Sequence, residues 1–285
     1  MVNVYGGLTK LKQMLSSLPP SERKIAQFMI DHPEKSTMFT ATKLAQASGT
    51  SSAAVIRLCK SLGFKSFQEL KISVAVDIKQ EVSSGYRDVT PNESFKDIID
   101  KVTNNTIQTL SETVHVIDVE DLHRAVDVLK NAKSISFIGF GASYIAAMDA
   151  EQKFLRINKN AQSFSDVHMA AMTIANKGPE DVIVGISFSG RTKEVEQLLT
   201  LGNDKNCKTI SITKLGKSIV SKRANISLHT SSAKEAPYRS GATSSRIALL
   251  HMIDILLMCL VSEEYEQTVQ HIDDTREAIA TFFPN

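Results

Sequence analysis

The sequence is poor in cysteine, and neither its cysteines nor its histidines are spaced like metal ligands. The three cysteines, Cys59, Cys207 and Cys259, lie among apolar residues, and none belongs to a CxxC pair. The seven histidines include no HExxH motif and no cluster with the spacing of zinc ligands. The small number and the surroundings of the cysteines exclude a fold that depends on disulfide bonds. We expect reduced thiols in the core, no metal site and no cofactor.

Long hydrophobic runs are missing too. The first residues contain no apolar stretch of the kind found in signal peptides. The most apolar segment, Ile247–Val261, is interrupted by His251 and Asp254, so we interpret it as a buried helix rather than a membrane span. With 42% hydrophobic and 22% charged residues, the 285-residue chain is typical of a soluble cytoplasmic protein with two domains.

The small net charge of +2 conceals an asymmetry along the chain. Residues 1–80 contain eleven Lys or Arg and five Asp or Glu, a net charge of +6, whereas the remainder contains 22 basic and 26 acidic residues, a net charge of −4. A basic first third indicates a polyanionic partner for that third alone. Scattered surface lysines would give the same count, so charge alone leaves both interpretations open.

The pattern of apolar residues changes along the chain. Residues 1–79 show only helical periodicity, and residues 80–94 are polar and rich in turn formers, as in an interdomain linker. In residues 95–285, two helices are followed by short β-rich runs that alternate with helical stretches. This alternation is typical of a parallel sheet covered by helices on both faces. We therefore predict an α + α/β chain: a helical domain at 1–79, a linker at 80–94, and a doubly wound domain at 95–285.

Five strands are predicted in the second domain, with helices between them. The predicted strands are Ser134–Phe140, Ala161–Phe164, Asp181–Ser187, Lys208–Thr213 and Ile226–His229. The helical stretch predicted after the fourth strand is Lys217–Arg223, and a long apolar helix is predicted at Thr243–Val261. Methionines at helical positions, among them Met148, Met169 and Met172, are interpreted as core residues.

Residues 42–62 have the proportions of a helix-turn-helix: a short helix, a glycine-bearing turn at Ser48-Gly49-Thr50, and a longer helix at Ser51–Leu62. The apolar residues of the longer helix recur with helical spacing, at Val55, Leu58, Cys59 and Leu62. The opposite face presents small side chains and hydrogen-bond donors, the mixture with which a recognition helix enters the major groove of DNA.

Each candidate DNA contact follows from its side chain. Arg57 suits a bidentate bond to guanine, the hydroxyls at the helix start suit phosphates or base edges, and the flanking lysines suit the DNA backbone. The predicted DNA-binding residues are Thr50, Ser51, Ser52, Ala53, Arg57, Lys60, Lys43 and Lys65, and Lys71 is expected to contact the DNA backbone together with Lys43 and Lys65. The alternative is an amphipathic helix of a bundle whose charged side chains are merely solvated, and spacing alone does not exclude it.

Two loops that follow predicted strands have the composition of anion sites. The first, Gly139-Phe140-Gly141-Ala142-Ser143, opens a helix but lacks the third glycine of a dinucleotide fingerprint, because residue 144 is Tyr. The second, Ser187-Phe188-Ser189-Gly190-Arg191-Thr192, brings three hydroxyls and a glycine to a helix start, where such groups bind phosphate. Either loop alone is equally a capped turn. Two of them at the carboxyl ends of neighbouring strands predict a ligand crevice.

These motifs resemble a known family. SFSGRT after an apolar strand, with GFGAS after an earlier strand, is similar to the sugar isomerase (SIS) domain. PPSERKIAQFMIDHP followed by AAVIRLCKSLGFKSFQELK resembles the winged-helix-like N-terminal domain of RpiR-type transcription regulators. The two resemblances together cover nearly the whole chain in the family's order. PPSERK, VIRLCKSLG and RSGATSSRIALLHMIDIL are also similar to MurR-like sensors of N-acetylmuramic acid 6-phosphate.

The resemblance implies a regulator that binds operator DNA and whose operator binding is modulated by a phosphosugar effector. It also implies a flavodoxin-like strand order in the SIS domain. The implied phosphosugar-binding residues are Ser143, Ser187, Phe188 through its backbone, Ser189, Thr192 and Glu235. Glu235 belongs to a segment, Glu235–Arg246, that would close over the sugar, but it is equally a surface acid. Arg191 stands where many relatives carry an acid, and its role stays open. One helix-turn-helix contacts one half-site of an operator. Since operators contain paired half-sites, we expect a homodimer or homotetramer.

The alternative is a phosphosugar isomerase or etherase with an accessory N-terminal domain. Such an enzyme needs a positioned general base, and the candidates Asp166, His168 and Glu235 are not distinctive. In a regulator, Asp166 and His168 would instead form the wall of the pocket. An operator binder requires a basic N-terminal domain and an enzyme does not, so we predict a regulator and not an enzyme.

Overall fold

The computed structural model describes residues 6–80, 92–232 and 243–282. The chain forms two compact units, Met1–Val116 and Ile117–Asn285. In the described residues the first unit is helical, and the second is built on a five-stranded parallel sheet, which confirms the predicted fold class. Most of the predicted linker lies outside the described residues, and the domain boundaries at 1–79 and 95–285 stay a prediction.

The first unit is a bundle of helices with an apolar centre. Its described helices are α1 (Gly7–Met14), α2 (Pro20–Asp31), α3 (Pro33–Met38), α4 (Ala41–Ala47), α5 (Ser52–Ser61), α6 (Phe67–Gln80) and α7 (Phe95–Val116), with a 3-10 turn at Leu15–Ser17. Pro33 ends α2, as its position in the sequence indicates, and it also begins α3, because the first helical position needs no backbone N–H. The fully buried centre is formed by Leu11, Ile25, Met29, Leu44, Leu58 and Leu70.

Helix α7 belongs to the first unit by its packing, although the sequence analysis placed residues from 95 onward in the second domain. The side-chain amide of Gln13 on α1 donates to Glu112 Oε2 at 3.2 Å. A side chain at Gly6 would collide with the backbone oxygen of His115, 2.6 Å away, so the start of α1 lies directly against the end of α7.

The second unit has the doubly wound topology that the family resemblance implies. Its elements are α8 (Val119–Lys130), β1 (Ser134–Gly139), α9 (Ala142–Leu155), β2 (Ala161–Phe164), α10 (Val167–Ala175), β3 (Asp181–Ile186), α11 (Lys193–Asp204), β4 (Lys208–Lys214), β5 (Ile226–Thr230), α12 (Thr243–Glu263) and α13 (Tyr265–Phe282). The strands are all parallel in the order β2-β1-β3-β4-β5, the flavodoxin-like order. Since β1 and β3 are buried along their whole length, both consist largely of apolar residues.

The two faces of the sheet are covered by different helices. On one face, α8, α9 and α12 pack around Phe137 and Phe154, whose rings meet edge to face at a centroid distance of 5.2 Å. On the other face, α10 and α11 pack around Ile174, Ile183 and Leu199. The helix after β1 and the helix after β3 therefore leave the sheet in opposite directions. The point between β1 and β3 is the topological switch point, where ligands of such sheets bind.

Helix α12 is long and apolar enough to cross a membrane by length and composition alone, and 44% of that stretch is buried within the protein. Its buried residues include Leu249, Met252, Ile253, Leu256 and Leu260, which lie in the core on the α9 face of the sheet. Helix α12 therefore belongs to the core, in agreement with the buried helix predicted from the sequence.

Two sequence predictions about the second unit are wrong. Residues 217–223 form turns rather than a helix, because Ser218 and Ser221 bond each other's backbone and hydroxyl groups, which competes with helical hydrogen bonds. Met148, Met169 and Met172 are 43%, 54% and 59% exposed and are not core residues. Helical spacing locates a stripe on α9 and α10 but does not tell which side of the helix meets the sheet.

The cysteines lie in apolar surroundings, as predicted. All three are free thiols, and Cys59 and Cys207 are buried. Desolvation by burial is the largest influence on Cys59 and raises the pKa of its thiol to about 11. Cys59 is therefore a protonated packing residue of α5 at neutral pH.

A buried polar cluster fixes the register of β1 against β3 at their amino-terminal ends. Ser134 and Asp181 are register partners, and the Ser134 hydroxyl donates to Asp181 Oδ1 at 2.6 Å. The backbone N–H of Gly178 donates to Oδ2 at 2.9 Å, and Lys177 Nζ lies 3.7 Å from Oδ1. Desolvation raises the pKa of Asp181, but these two hydrogen bonds and the charges of Lys177 and Lys133 outweigh it, so the net pKa is lowered.

We predict that Asp181→Asn destabilises the protein at neutral pH by about 1–3 kcal/mol, the contribution of hydrogen bonds to a charged group. The pKa of Asp181 is lower in the folded than in the unfolded protein. The extra free energy of unfolding of the wild type is therefore fully present above the unfolded pKa, at about pH 4, and is lost as the pH falls through the folded pKa. Urea midpoints of both proteins between pH 7 and pH 2.5 measure this. A difference that stays constant across that range contradicts the role given to the carboxylate, and the exposed Asp204→Asn serves as control.

Candidate functional site

Helices α4 and α5 form the predicted helix-turn-helix. Thr40 accepts a hydrogen bond from the backbone N–H of Lys43 at the start of α4, and Ser51 accepts one from Ala54 at the start of α5. The turn passes through Gly49, whose φ of +63° lies in the left-handed region that favours glycine. Each helix therefore begins at a side-chain cap, and the turn between them is set by glycine.

Helix α5 buries one face and exposes the other. The residues predicted as its apolar stripe, Val55, Leu58, Cys59 and Leu62, are all at most 3% exposed. The exposed face of α5 is formed by Ser52, Ala53, Ile56, Arg57 and Lys60. Sequence analysis did not single out Ile56, which is 45% exposed and adds an apolar contact surface to this face.

Some predicted DNA contacts are engaged within the turn. The Thr50 hydroxyl lies 3.0 Å from the Ser48 hydroxyl and donates to the backbone oxygen of Ala45 at 3.4 Å, so it helps to hold the turn. Ser51 is exposed beside it and acts as the cap of α5. The structure therefore gives Thr50 and Ser51 a structural role in addition to any contact with a partner.

The flanking lysines have different surroundings. Lys43 is exposed and its ammonium lies over the Phe39 ring at 4.8 Å, and Lys65 is exposed while its backbone N–H donates to Glu69. Lys71 instead donates to the backbone oxygen of Phe39 at 3.0 Å and holds α6 against the segment before α4. Lys43 and Lys65 present their charges at the surface, whereas Lys71 is part of the packing.

A buried carboxylate on α2 reaches α5. Glu22 is 4% exposed. Its Oε2 accepts a hydrogen bond of 2.7 Å from the Ser61 hydroxyl, and its Oε1 lies 3.7 Å from Nε of Arg57. The Arg57 side chain itself is 56% exposed. Sequence analysis missed this residue, because nothing in the local pattern around Glu22 shows that it faces a helix 35 residues further along the chain.

In the second unit, the two predicted anion loops leave the sheet side by side. Gly139, the last residue of β1, is the register partner of Ile186, the last residue of β3. The GFGAS loop therefore begins next to the SFSGRT loop at the switch point. Gly139 must lack a side chain, because a Cβ there would lie 2.6 Å from the backbone oxygen of Ser143 on the first turn of α9.

The SFSGRT loop is a tight turn that gathers its hydroxyls. The backbone N–H of Gly190 donates to the Ser187 oxygen at 2.9 Å, and Gly190 has a φ of +66°. This turn brings the Ser187 hydroxyl to 2.8 Å from that of Thr192, the residue before α11. The Ser189 hydroxyl accepts from the backbone N–H of Arg191 at 3.2 Å, and the Arg191 side chain is exposed. The turn thus pairs the Ser187 and Thr192 hydroxyls at the start of α11, while the Ser189 hydroxyl bonds the backbone of the same turn.

Neighbouring segments hold this loop in place. The backbone oxygen of Phe188 accepts from the N–H of Lys214 at the end of β4, at 2.9 Å. The backbone oxygen of Gly190 accepts from Val220 at 3.2 Å, and a Cβ at Gly190 would lie 2.4 Å from both Cβ and Oγ of Ser218. Sequence analysis missed the Ser218 segment, because the contact joins two loops that no periodicity links.

Four further residues were predicted near the phosphosugar: Ser143, Asp166, His168 and Glu235. Ser143 is half-buried on the first turn of α9, beside the loop that carries Ser187. Asp166 caps α10 by accepting from the backbone N–H of Met169 at 2.8 Å, and His168 next to it is exposed. Glu235 lies outside the described residues, as does most of the segment Glu235–Arg246.

A surface depression of about 720 Å³ lies at the opposite, amino-terminal edge of the sheet. It is lined by residues before β3 and at the starts of β4 and β5, including Pro179, Lys208 and Ile226. Its wall contains none of the loop hydroxyls, so it is not the crevice expected at the switch point.

One group of side chains in the described residues has donor atoms close enough together to hold a metal ion. His123 and Asp127 on α8 and Glu263 on α12 have donor atoms within 4.8 Å of one another, and all three are exposed. Lys130 already donates to Glu263 at 3.2 Å and competes with a cation there. The expected absence of a metal site stays a prediction.

Comparison with known proteins supports the division into two parts. A family model described as "Helix-turn-helix domain, rpiR family" matches residues 5–81, and one described as "SIS domain" matches residues 128–259. YbbH of Bacillus subtilis, an uncharacterized HTH-type transcriptional regulator, is 44% identical over 274 residues, which are 96% of this chain and 97% of YbbH. A similarly described regulator of Caldanaerobacter subterraneus is 37% identical over 273 residues, 96% of each chain.

A solved structure extends the comparison. The Vibrio vulnificus NanR protein complexed with ManNAc-6P superimposes with a TM-score of 0.62 at 27% sequence identity, covering 98% of this chain and 100% of the NanR chain. An exposed helix of a helix-turn-helix, joined in one chain to a SIS fold, defines a DNA-binding transcriptional regulator with a second, SIS-type domain. The chain belongs to the RpiR family of HTH-type transcriptional regulators that carry a SIS domain.

We predict that Gly190→Ala destabilises the second unit for two reasons. An alanine at a left-handed φ costs about 1–2 kcal/mol, and the new Cβ must also displace Ser218. A double-mutant cycle with Ser218→Gly separates the two effects, because that background removes the colliding atoms. In urea unfolding, the loss caused by Gly190→Ala should be smaller in the Ser218→Gly background. Equal losses in both backgrounds contradict the close contact between the two loops.

Proposed function

We propose that this regulator reads double-stranded operator DNA through the exposed face of α5, and that a phosphosugar at the switch-point loops modulates operator binding. The observation that carries the phosphosugar half of the proposal is the tight SFSGRT turn before α11, which pairs the Ser187 and Thr192 hydroxyls and also contains the Ser189 hydroxyl. Hydroxyls and backbone N–H groups at a helix start bind a phosphate without burying a cation, and the switch point leaves room for the sugar beside it.

The DNA-binding residues that we propose fall into two groups. The exposed face of α5 supplies base contacts, with Arg57 bonding guanine and Ile56 and Ala53 able to contact a thymine methyl group. Contacts that position the protein come from hydroxyls and lysines around that face. The members of the second group are Thr50, Ser51, Ser52, Lys60, Lys43 and Lys65.

We propose an amino-sugar 6-phosphate as the effector. NanR, 27% identical to this chain, was solved with ManNAc-6P, and the sequence motifs also resemble sensors of N-acetylmuramic acid 6-phosphate. In this proposal Ser143, Ser187, Ser189, Thr192 and the Phe188 backbone hold the phosphate, and Glu235 contacts a sugar hydroxyl. Of the candidate general bases in the described residues, Asp166 is engaged as a helix cap and His168 is exposed, and we propose a cytoplasmic sensor without turnover.

We also propose that the regulator acts as a homodimer or homotetramer, since paired half-sites need paired recognition helices. The second unit offers an apolar surface for self-association on α9 and α10. The exposed apolar residues there are Ile145, Met148, Leu155, Met169 and Met172. Helix α12, by contrast, buries one face in the core, and Met258 on it is 61% exposed.

We predict that Arg57→Ala lowers affinity for the preferred operator by about 1–3 kcal/mol, with the loss concentrated at one base position. The protein stays folded because Arg57 is half-exposed. The measurement is a gel-shift or anisotropy titration with the selected operator and its single-base variants. Lys65→Ala is the contrasting control, since loss of a phosphate contact weakens all DNA alike and lowers the salt slope by about one. Unchanged affinity in Arg57→Ala means that α5 is not the reading helix.

We predict that Ser189→Ala weakens phosphosugar binding by about tenfold or more, because a hydrogen bond to a charged phosphate contributes roughly 1.5–3 kcal/mol. Calorimetric titration with ManNAc-6P, N-acetylmuramic acid 6-phosphate and related amino-sugar phosphates measures this. Thr200→Ala is the matched control: it removes a hydroxyl that bonds within α11 and leaves the loop intact. If wild type and Ser189→Ala bind the tightest-binding phosphosugar with equal affinity, the phosphate does not bind at this loop. Release of a product from any of these compounds favours the isomerase or etherase instead.

A further inference from the structure

Glu22 is an acidic side chain in the buried interior, where a charge destabilises the fold unless it is compensated. Both of the partners described for its carboxylate lie on the recognition helix α5. Glu22 is 4% exposed on the first turn of α2. Ser61 and Arg57 both belong to α5. Burial of a carboxylate destabilises a fold unless hydrogen bonds and an opposite charge compensate for it. Glu22 therefore links the orientation of α2 to two side chains of α5.

The two contacts of Glu22 differ in kind. The bond from the Ser61 hydroxyl to Oε2, at 2.7 Å, is a full hydrogen bond and fixes the position of the carboxylate. The approach of Oε1 to Arg57 Nε, at 3.7 Å, is too long for a hydrogen bond and acts as a directed electrostatic attraction. Ser61 thus holds Glu22, and Glu22 in turn attracts the guanidinium.

The attraction engages the inner nitrogen of Arg57. Because the approach is through Nε, the two terminal Nη groups remain at the outer end of a side chain that is 56% exposed. A bidentate contact to guanine needs a guanidinium held in one plane and direction. A restrained arginine loses less conformational freedom when it binds than one that moves freely in solvent.

We propose that Glu22 is a positioning residue for sequence reading: it holds Arg57 in the orientation that contacts a base. The inference rests on the proposed role of Arg57 in operator binding. A fixed carboxylate behind the recognition helix repels every phosphate backbone alike, so this repulsion cancels when two duplexes are compared, whereas only the correct base gains the preorganised arginine contact. Specificity is the difference between the two affinities, and Glu22 raises it through the orientation of Arg57.

The test compares Glu22→Gln with Glu34→Gln in the full-length protein. Glutamine keeps the shape of Glu22 and can accept from Ser61, but it removes the charge that attracts Arg57. Glu34 is exposed on α3, so its substitution removes one negative charge from the same unit without touching α5. The probes are a duplex selected by the wild type from a random library, its single-base variants, and a scrambled duplex of equal length.

For Glu22→Gln we expect a loss of about two- to tenfold in discrimination at the base position that Arg57→Ala affects. Affinity for the scrambled duplex stays equal or rises, and Glu34→Gln keeps wild-type discrimination. A merely structural role of Glu22 would weaken binding to the selected and scrambled duplexes alike, and that result overturns the proposal. So does unchanged discrimination.

A measurement without DNA separates this inference from the proposed function. The NMR relaxation of the Arg57 Nε–H group reports its mobility directly, and we expect it to become more mobile in Glu22→Gln and to stay unchanged in Glu34→Gln. Equal mobility in Glu22→Gln and wild type overturns the proposal whatever the DNA results. If the wild type selects no duplex, the proposed binding of operator DNA by α5 is contradicted. The relaxation data then still decide whether Glu22 restrains Arg57. Should Glu22→Gln not fold, Ser61→Ala releases the same carboxylate and must mobilise Arg57 in the same direction.

Discussion

The parallel pairing of β1 with β3 is the constraint on which the whole second unit depends. Because Gly139 and Ile186 are register partners, the two strands end together and their loops leave the sheet at one point. Because the helices that follow pack on opposite faces, those loops diverge at the switch point, where ligands of such sheets bind. The buried cluster of Ser134 and Asp181 fixes this register from the other end of the strands. A slip of the register would separate the two loops of the proposed phosphate site.

The first unit depends on a different kind of constraint. Its recognition helix is short, and α5 is held by the apolar stripe on one side and by Glu22 through Ser61 on the other. Glycine at position 49 and the caps at Thr40 and Ser51 fix the angle between α4 and α5. The exposed face is consequently presented on a rigid support, which a side chain must have if it is to distinguish one base from another.

Much of this architecture could be predicted from the sequence, because the strands are bounded by turn residues and the helices by caps and prolines. The five strands begin and end at the predicted residues or within one of them. Contacts between distant segments could not be predicted. Glu22 against Arg57, and Gly190 against Ser218, join residues that share no periodicity. The predicted burial of Met148 and Met172 was wrong for a related reason. Helical spacing defines a stripe of apolar residues, and only the packed fold decides which stripe is buried.

The two halves make one regulator only if binding at one changes binding at the other. The most direct measurement is the operator affinity of the full-length wild type as the amino-sugar phosphate is titrated to saturation. The account predicts a change of about fivefold or more, and linkage requires that operator DNA change the phosphosugar affinity by the same factor. An operator affinity that stays constant while calorimetry shows the phosphosugar site to be full would contradict the central claim.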